Sequence, residues 1–261
     1  MKIIAGPCIH EDYNISAEIA DHCQDVCDKY GIEYYFKASF DKANRSSFDN
    51  YRGRYDNMND RLMNFIADME TIYSKKVTDV HETWQVHEVK NIVDVIQIPA
   101  FLCRQTDLIR TACKTDCIVN IKKGQFLSPQ DCKNILSKCK GAKEVWITER
   151  GTSFGYNNLV VDYSGLVWML THLGCSIVFD ATHSAQKPGG LGSSSGGDSS
   201  VVPSLVRAAS SVGVQNFFIE THPDPEKSPS DGPNMIKLSD FDELVEQIID
   251  YNYVHSDLNV V

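Results

Sequence analysis

Tyr34-Tyr35-Phe36-Lys37-Ala38-Ser39-Phe40-Asp41-Lys42-Ala43-Asn44-Arg45-Ser46-Ser47 decides the fold. Its apolar start has the length and composition of a buried strand. From Lys37 onward, three cations, one amide and three hydroxyls gather where that strand ends. Charge-assisted donors beside neutral hydrogen-bonding groups suit a ligand that is both phosphorylated and polyhydroxylated. On a chain of net charge −10, such a basic knot is more than a solvated loop.

The same transition recurs outward in both directions. Strands are expected near Ile3–Cys8, Tyr34–Ser39, Val77–His81, Val95–Ala100, Ile118–Lys122, Val145–Glu149, Ser176–Ala181 and Asn216–Thr221. Helical patterns fall between them near Ile15–Tyr30, Met58–Tyr73, Trp84–Ile92, Gln105–Lys114, Pro129–Cys139, Ser164–Leu173 and Pro203–Val212, with a last one at Asp240–Tyr251. Near-continuous apolar strands alternating with helices indicate a parallel sheet covered by helices. Eight such units predict one α/β domain over residues 1–261, a closed (β/α)8 TIM barrel. Polar residues cluster where the strands end: Cys8, Lys37, Asp79 and His81, Gln97, Lys122, Glu149 and Arg150, Asp180 and His183, Glu220 and His222. A barrel brings those C-terminal ends to one face, so the residues are expected to share a pocket. The segment Pro188–Gly197 is rich in glycine and serine, and is expected to form a mobile loop over the mouth that orders when substrate binds.

Bulk composition narrows the class. A hydrophobic content of 42% supports a sizeable core. The acidic balance argues against nucleic acid and anionic membranes as partners. No apolar run approaches the roughly 20 residues of a membrane helix. A strand starting at Lys2 leaves no room for a signal peptide, so a cytoplasmic location is expected. Nine cysteines without CxxC pairs read as thiols in a reducing compartment, and Cys23 and Cys27, four apart on a helix, as buried rather than metal-bound.

Several long strings carry a resemblance to a known family. They are the Lys37–Ser47 run, Ala5-Gly6-Pro7-Cys8, Thr78-Asp79-Val80-His81-Glu82, Gln97 through Asp107, Thr148-Glu149-Arg150-Gly151 and Phe179-Asp180-Ala181-Thr182-His183-Ser184. Over nearly its whole length the chain resembles the 3-deoxy-D-manno-octulosonate 8-phosphate synthases, metal-dependent type. These condense phosphoenolpyruvate with D-arabinose 5-phosphate and water, releasing phosphate, in lipopolysaccharide precursor synthesis.

The resemblance implies roles at matched positions. Lys37, Lys42, Lys122, Gln125 and Arg150 correspond to the phosphoenolpyruvate cradle. Asn44, Arg45 and Ser46 correspond to the arabinose 5-phosphate site, which Arg104 completes from a neighbouring subunit of a homo-oligomer, expected to be a tetramer. Lys42, Asp79 and His183 correspond to catalytic positions. Cys8, His183, Glu220 and Asp231 would hold a divalent metal, Fe2+, Zn2+ or Mn2+, and no organic cofactor is implied. The cysteine at position 8 marks the metal-dependent type, where metal-independent members carry asparagine. Two alternatives stand beside this: a related barrel using erythrose 4-phosphate, which typically has Lys-Pro-Arg-Thr where this chain has Lys42–Ser46, and a non-catalytic barrel that senses sugar phosphates. The chain departs from the family pattern at Arg54-Tyr55-Asp56-Asn57, Asp198-Ser199-Ser200 and Gly232-Pro233-Asn234.

Overall fold

The computed structural model describes residues 1–189 and 196–256. Residues 190–195, the middle of the loop expected to close over the mouth, lie outside the described residues. Eight parallel strands form the barrel: β1 Lys2–Ile9, β2 Glu33–Ser39, β3 Lys75–Asp79, β4 Val95–Ile98, β5 Ile118–Lys122, β6 Val145–Glu149, β7 Ser176–Asp180 and β8 Asn216–His222. Each pairs with the next in sequence, and β8 returns to β1 through Ile3↔Phe217 and Ala5↔Ile219. The expected closed α/β barrel is present.

Period-two alternation decides what each strand presents inside. One buried side chain from every strand forms a ring: Ile4, Tyr35, Val77, Val95, Ile118, Trp146, Val178 and Phe218. Two residues further along come Gly6, Lys37, Asp79, Gln97, Asn120, Thr148, Asp180 and Glu220. The interior thus has an apolar floor and a polar mouth, stacked along the same inward positions. The opposite parity, including Ile3, Phe36, Val119, Ile147 and Phe217, packs outward against the helices as the main core.

Besides a single turn at Ala181–Ser184, the α-helices of the described residues are α1 Tyr13–Lys29, α2 Met58–Met69, α3 Thr83–Val89, α4 Thr106–Ala112, α5 Cys132–Leu136, α6 Tyr163–His172, α7 Val202–Ser211 and α8 Phe241–Ser256. In α1 the buried residues Ile19, Ala20, Cys23, Val26 and Cys27 trace one face, and Asp12 caps its start by accepting from the Ile15 amide. Cys23 and Cys27 are buried in that core. Several helices are shorter than expected because their ends tighten into i→i−3 bonds, as in Lys114 N to Thr111 O and Lys138 N to Ile135 O.

Two local features shape the mouth. A Cβ on Gly6 would lie 1.9 Å from the Lys37 carbonyl oxygen, so only glycine lets β1 approach β2 there. Just beyond, the β1–β2 register shifts between Ala5 and Cys8, and Cys8 takes a φ of 69°. Such a bulge re-aims a side chain.

Candidate active site

A cavity of ≈ 300 Å³ opens at the C-terminal ends of the strands. Most of the residues singled out from the sequence line it: Lys37, Lys42, Asn44, Arg45 and Ser46 from β2 and its loop, Asp79 from β3, Lys122 and Gln125 from β5 and its loop. Arg150, His183 and Asp231 complete that set. Cys8 and Glu220 lie buried beneath, reaching the cavity through Asp231.

Buried cations here are held by buried carboxylates. Lys37 Nζ donates to Ser39 Oγ at 2.9 Å and to the Cys8 carbonyl at 3.2 Å, and stands 3.5 Å from Asp79 Oδ1. Lys42 Nζ donates to the same Ser39 hydroxyl at 3.0 Å, and Ser39 donates to Asp79. His81 Nε2 lies 3.2 Å from the other Asp79 oxygen. Burial opposes the charge on Asp79, but Lys37 and His81 outweigh it and hold the carboxyl well below the usual range. Asp79 therefore organises two lysines and a histidine rather than standing free as a base.

Lys122 Nζ donates to Asp180 Oδ2 at 2.5 Å and sits 3.3 Å from the centroid of the Phe218 ring, a cation–π contact. Burial lowers its pKa to about 8 despite the attraction of Asp180. Burial likewise lowers that of Arg150. Arg150 Nη2 donates to Gln186 Oε1 at 2.9 Å, while its buried Nη1 finds no hydrogen-bond acceptor among the described residues. Nearby Gln125 Oε1 is also buried without a partner among them. Desolvated cations with unused donors make a site ready for an anion.

The loop after β2 is tied into a ring. The carboxylate of Asp41, fully buried, accepts from Arg52 Nε at 3.0 Å and Nη2 at 2.6 Å, with Arg61 Nη1 at 3.4 Å. The Lys42 amide donates to the Arg52 carbonyl at 3.0 Å, and Arg45 Nε to the Tyr51 carbonyl at 2.8 Å. Asn44, Arg45 and Ser46 are thereby presented at the cavity rim.

Cys8, Glu220 and Asp231 each bring a ligand atom within 4.8 Å of the others. Cys8 Sγ donates to Asp231 Oδ2 at 3.2 Å, and Asp231, like Cys8, holds a left-handed backbone (φ 55°). Such strain costs of order 1–3 kcal/mol per residue and gathers at functional positions. His183 stands beside this group rather than within it, with Nδ1 2.8 Å from Asp180 and Nε2 3.9 Å from Glu220. Neither Glu220 oxygen receives a hydrogen bond from the described residues, although the side chain is buried. A thiol, two carboxylates and a nearby imidazole, with one carboxylate unpaired, form a donor set that fits a borderline divalent cation.

Some expectations are corrected. Glu149 and His222 end their strands but do not share the pocket. Glu149 accepts from the Gly151 amide at 2.7 Å and pairs with Lys123 at 3.1 Å, while His222 lies 3.1 Å from Glu11. Adjacent residues of a strand point oppositely, so only one of Glu149 and Arg150 can face inward. Arg104 is exposed and lies outside this cavity. Tyr51, Gln186 and Ser230 line the cavity without having been singled out, because loop residues carry no strand parity to flag them.

With this geometry established, comparison with known proteins identifies the lineage. The profile of the DAHP synthetase I family matches residues 1–254. The chain belongs to that family. It is 48% identical over 249 residues to a 2-dehydro-3-deoxyphosphooctonate aldolase of Cyanothece sp., covering 95% of this chain and 90% of the relative. Proteins of the same name from Caulobacter vibrioides and Fusobacterium nucleatum are 49% and 46% identical over 254 residues, 97% of this chain, and 88% and 90% of their own lengths. These relatives agree with the resemblance read from the strand-end motifs.

Proposed function

We propose that the chain is a synthase condensing phosphoenolpyruvate with D-arabinose 5-phosphate and water to 3-deoxy-D-manno-octulosonate 8-phosphate and phosphate, a step toward lipopolysaccharide precursors. The observation that carries this is the convergence of buried Lys37, Lys122 and Arg150 with the ring-tied Asn44-Arg45-Ser46 segment in one cavity. Two anionic substrates need two cationic holders, and the cavity divides into them. Lys37, Lys122, Gln125 and Arg150 bind the phosphoenolpyruvate phosphate and carboxylate. Arg45 holds the sugar phosphate, and Asn44 and Ser46 its hydroxyls. Arg104 of a neighbouring copy closes that site, which makes the working unit a homo-oligomer, a tetramer by the resemblance.

C3 of phosphoenolpyruvate attacks the sugar aldehyde carbon, forming the new C–C bond as the aldehyde oxygen takes up a proton. Water adds at C2, and the tetrahedral centre collapses by breaking its C–O bond to phosphate. Lys42, on the Ser39–Asp79 network, stabilises the oxygen that gains charge, while Lys122 and Arg150 stabilise the departing phosphate. Asp79 keeps both lysines aimed. Asp180, paired with Lys122 and beside His183, is held ionised by them against burial. Cys8, Glu220 and Asp231, with His183, would hold Fe2+, Zn2+ or Mn2+. When bound, such an ion supplies Lewis acidity and orientation for the aldehyde. Cytoplasmic residence fits nine cysteines that are all free thiols. No described helix is long and apolar enough to cross a membrane.

The test is phosphate release from phosphoenolpyruvate with arabinose 5-phosphate or erythrose 4-phosphate, before and after metal stripping and restoration. The five-carbon sugar should be preferred, with activity lost on stripping and regained with Fe2+, Mn2+ or Zn2+. Preference for erythrose 4-phosphate, or binding without release, would contradict the proposal.

A further inference from the structure

Gln186 joins two parts of the site that come from distant strands. Its Oε1 accepts from Arg150 Nη2 at 2.9 Å, and its Nε2 donates to Asp231 Oδ1 at 3.0 Å. A guanidinium only donates and an ionised carboxylate only accepts, so these neighbours fix the orientation of the amide between them. A carboxylate at this position would repel Asp231, and an ammonium would repel Arg150. Methionine would fill the space and bond neither.

The bridge is anchored from below as well. The Gln186 backbone pairs with Gly197 across a short antiparallel ladder. Gly197 packs so tightly on Asn234 that a Cβ there would fall 1.3 Å from its Oδ1. Asn234 follows Asp231 by three residues, and its amide donates to the Asp231 carbonyl at 2.8 Å. The second Asp231 oxygen accepts from Cys8 Sγ and, at 3.0 Å, from Ser230. An unbroken chain of contacts therefore runs from the anion-facing guanidinium through Gln186 and Asp231 to Cys8.

We propose that Gln186 is a positioning residue that couples the anion site at Arg150 to the cation site at Cys8, Glu220 and Asp231. A ligand on either site fixes its own end of the bridge, Arg150 or Asp231, and through the shared amide steadies the other end, so phosphoenolpyruvate and a divalent cation raise each other's affinity by one common factor. This rests on the roles assigned above to Arg150 and Asp231.

Calorimetry on the metal-stripped full chain tests it. Mn2+ is titrated with and without phosphoenolpyruvate, and phosphoenolpyruvate with and without Mn2+, with no sugar present so that nothing is consumed. The wild type should show mutual enhancement of at least about fivefold, the lower end of ordinary allosteric coupling. In Gln186→Met the enhancement should vanish while each ligand still binds alone. Gln186→Glu sets a carboxylate against Asp231 and adds negative charge beside the anion site, so phosphoenolpyruvate alone should bind more weakly than to the wild type and the coupling should again be lost. Melting curves confirm that both variants are folded. Undiminished coupling in Gln186→Met, or none in the wild type, overturns the proposal. Failure of the wild type to bind either ligand overturns the site assignment and the coupling with it.

Discussion

The floor and the mouth of the barrel use the same inward positions for opposite purposes. The ring from Ile4 to Phe218 is apolar and buried. Two residues higher, the same strands supply Lys37, Asp79, Gln97, Asp180 and Glu220, equally buried but charged or polar. The floor gains from burial, at roughly 25 cal/mol per Å² of apolar surface removed from water. The mouth loses by it and is kept folded by ion pairs such as Lys122–Asp180 and by the packing below. Stability and chemistry are thus segregated along one axis, one pleat apart.

That division can be broken at four points. The largest effect is expected in the floor. Trp146, fully buried and T-shaped against Tyr35, should cost about 3–5 kcal/mol of stability when replaced by alanine, read from denaturant melts, with little change in turnover per folded molecule. In the mouth, Arg150→Met should reduce kcat/KM for phosphoenolpyruvate about 10²–10³-fold, as loss of a transition-state donor does. Its melting temperature should hold or rise, because burial already disfavours the guanidinium charge. Arg45→Ala should raise the KM for arabinose 5-phosphate by the roughly 1.5–3 kcal/mol of a charged hydrogen bond, leaving the KM for phosphoenolpyruvate nearly unchanged. The smallest effect is on pH. Lys122, lowered by burial to about 8, is charged below that value and neutral above it. Phosphoenolpyruvate binding should therefore weaken as pH rises through about 8, by up to about tenfold per unit. Lys122→Arg should remove this inflection from a KM–pH profile measured between about pH 7 and 9.5.

The floor was legible in the sequence and the mouth only partly so. Apolar runs such as Ile118-Val119-Asn120-Ile121 announce a parallel strand whichever parity faces inward, so strand number and barrel closure could be read directly. Parity could not, because a slip of one residue exchanges the two faces. For that reason residue types alone group Glu149 with Arg150, although Glu149 turns outward to Lys123. Cys8 stands beside Asp231 only through a register shift and a left-handed backbone that residue types do not reveal. The contact of Gln186 with Arg150 and Asp231 depends on three loops meeting, which no local spacing encodes. The grouping of Cys8, His183, Glu220 and Asp231 follows from the resemblance alone, and the structure brings Cys8, Glu220 and Asp231 together with His183 alongside.

The separation of floor from mouth is tested most directly by combining Trp146→Ala with Arg150→Met and measuring both melting and phosphate release on the single and double variants. The two changes should act independently: the double variant should lose the stability of Trp146→Ala alone and the kcat/KM of Arg150→Met alone, within about 0.3–0.5 kcal/mol of additivity. A Trp146→Ala variant that stays folded but loses turnover per folded molecule, or an Arg150→Met variant that loses stability on the scale of Trp146→Ala, would contradict it.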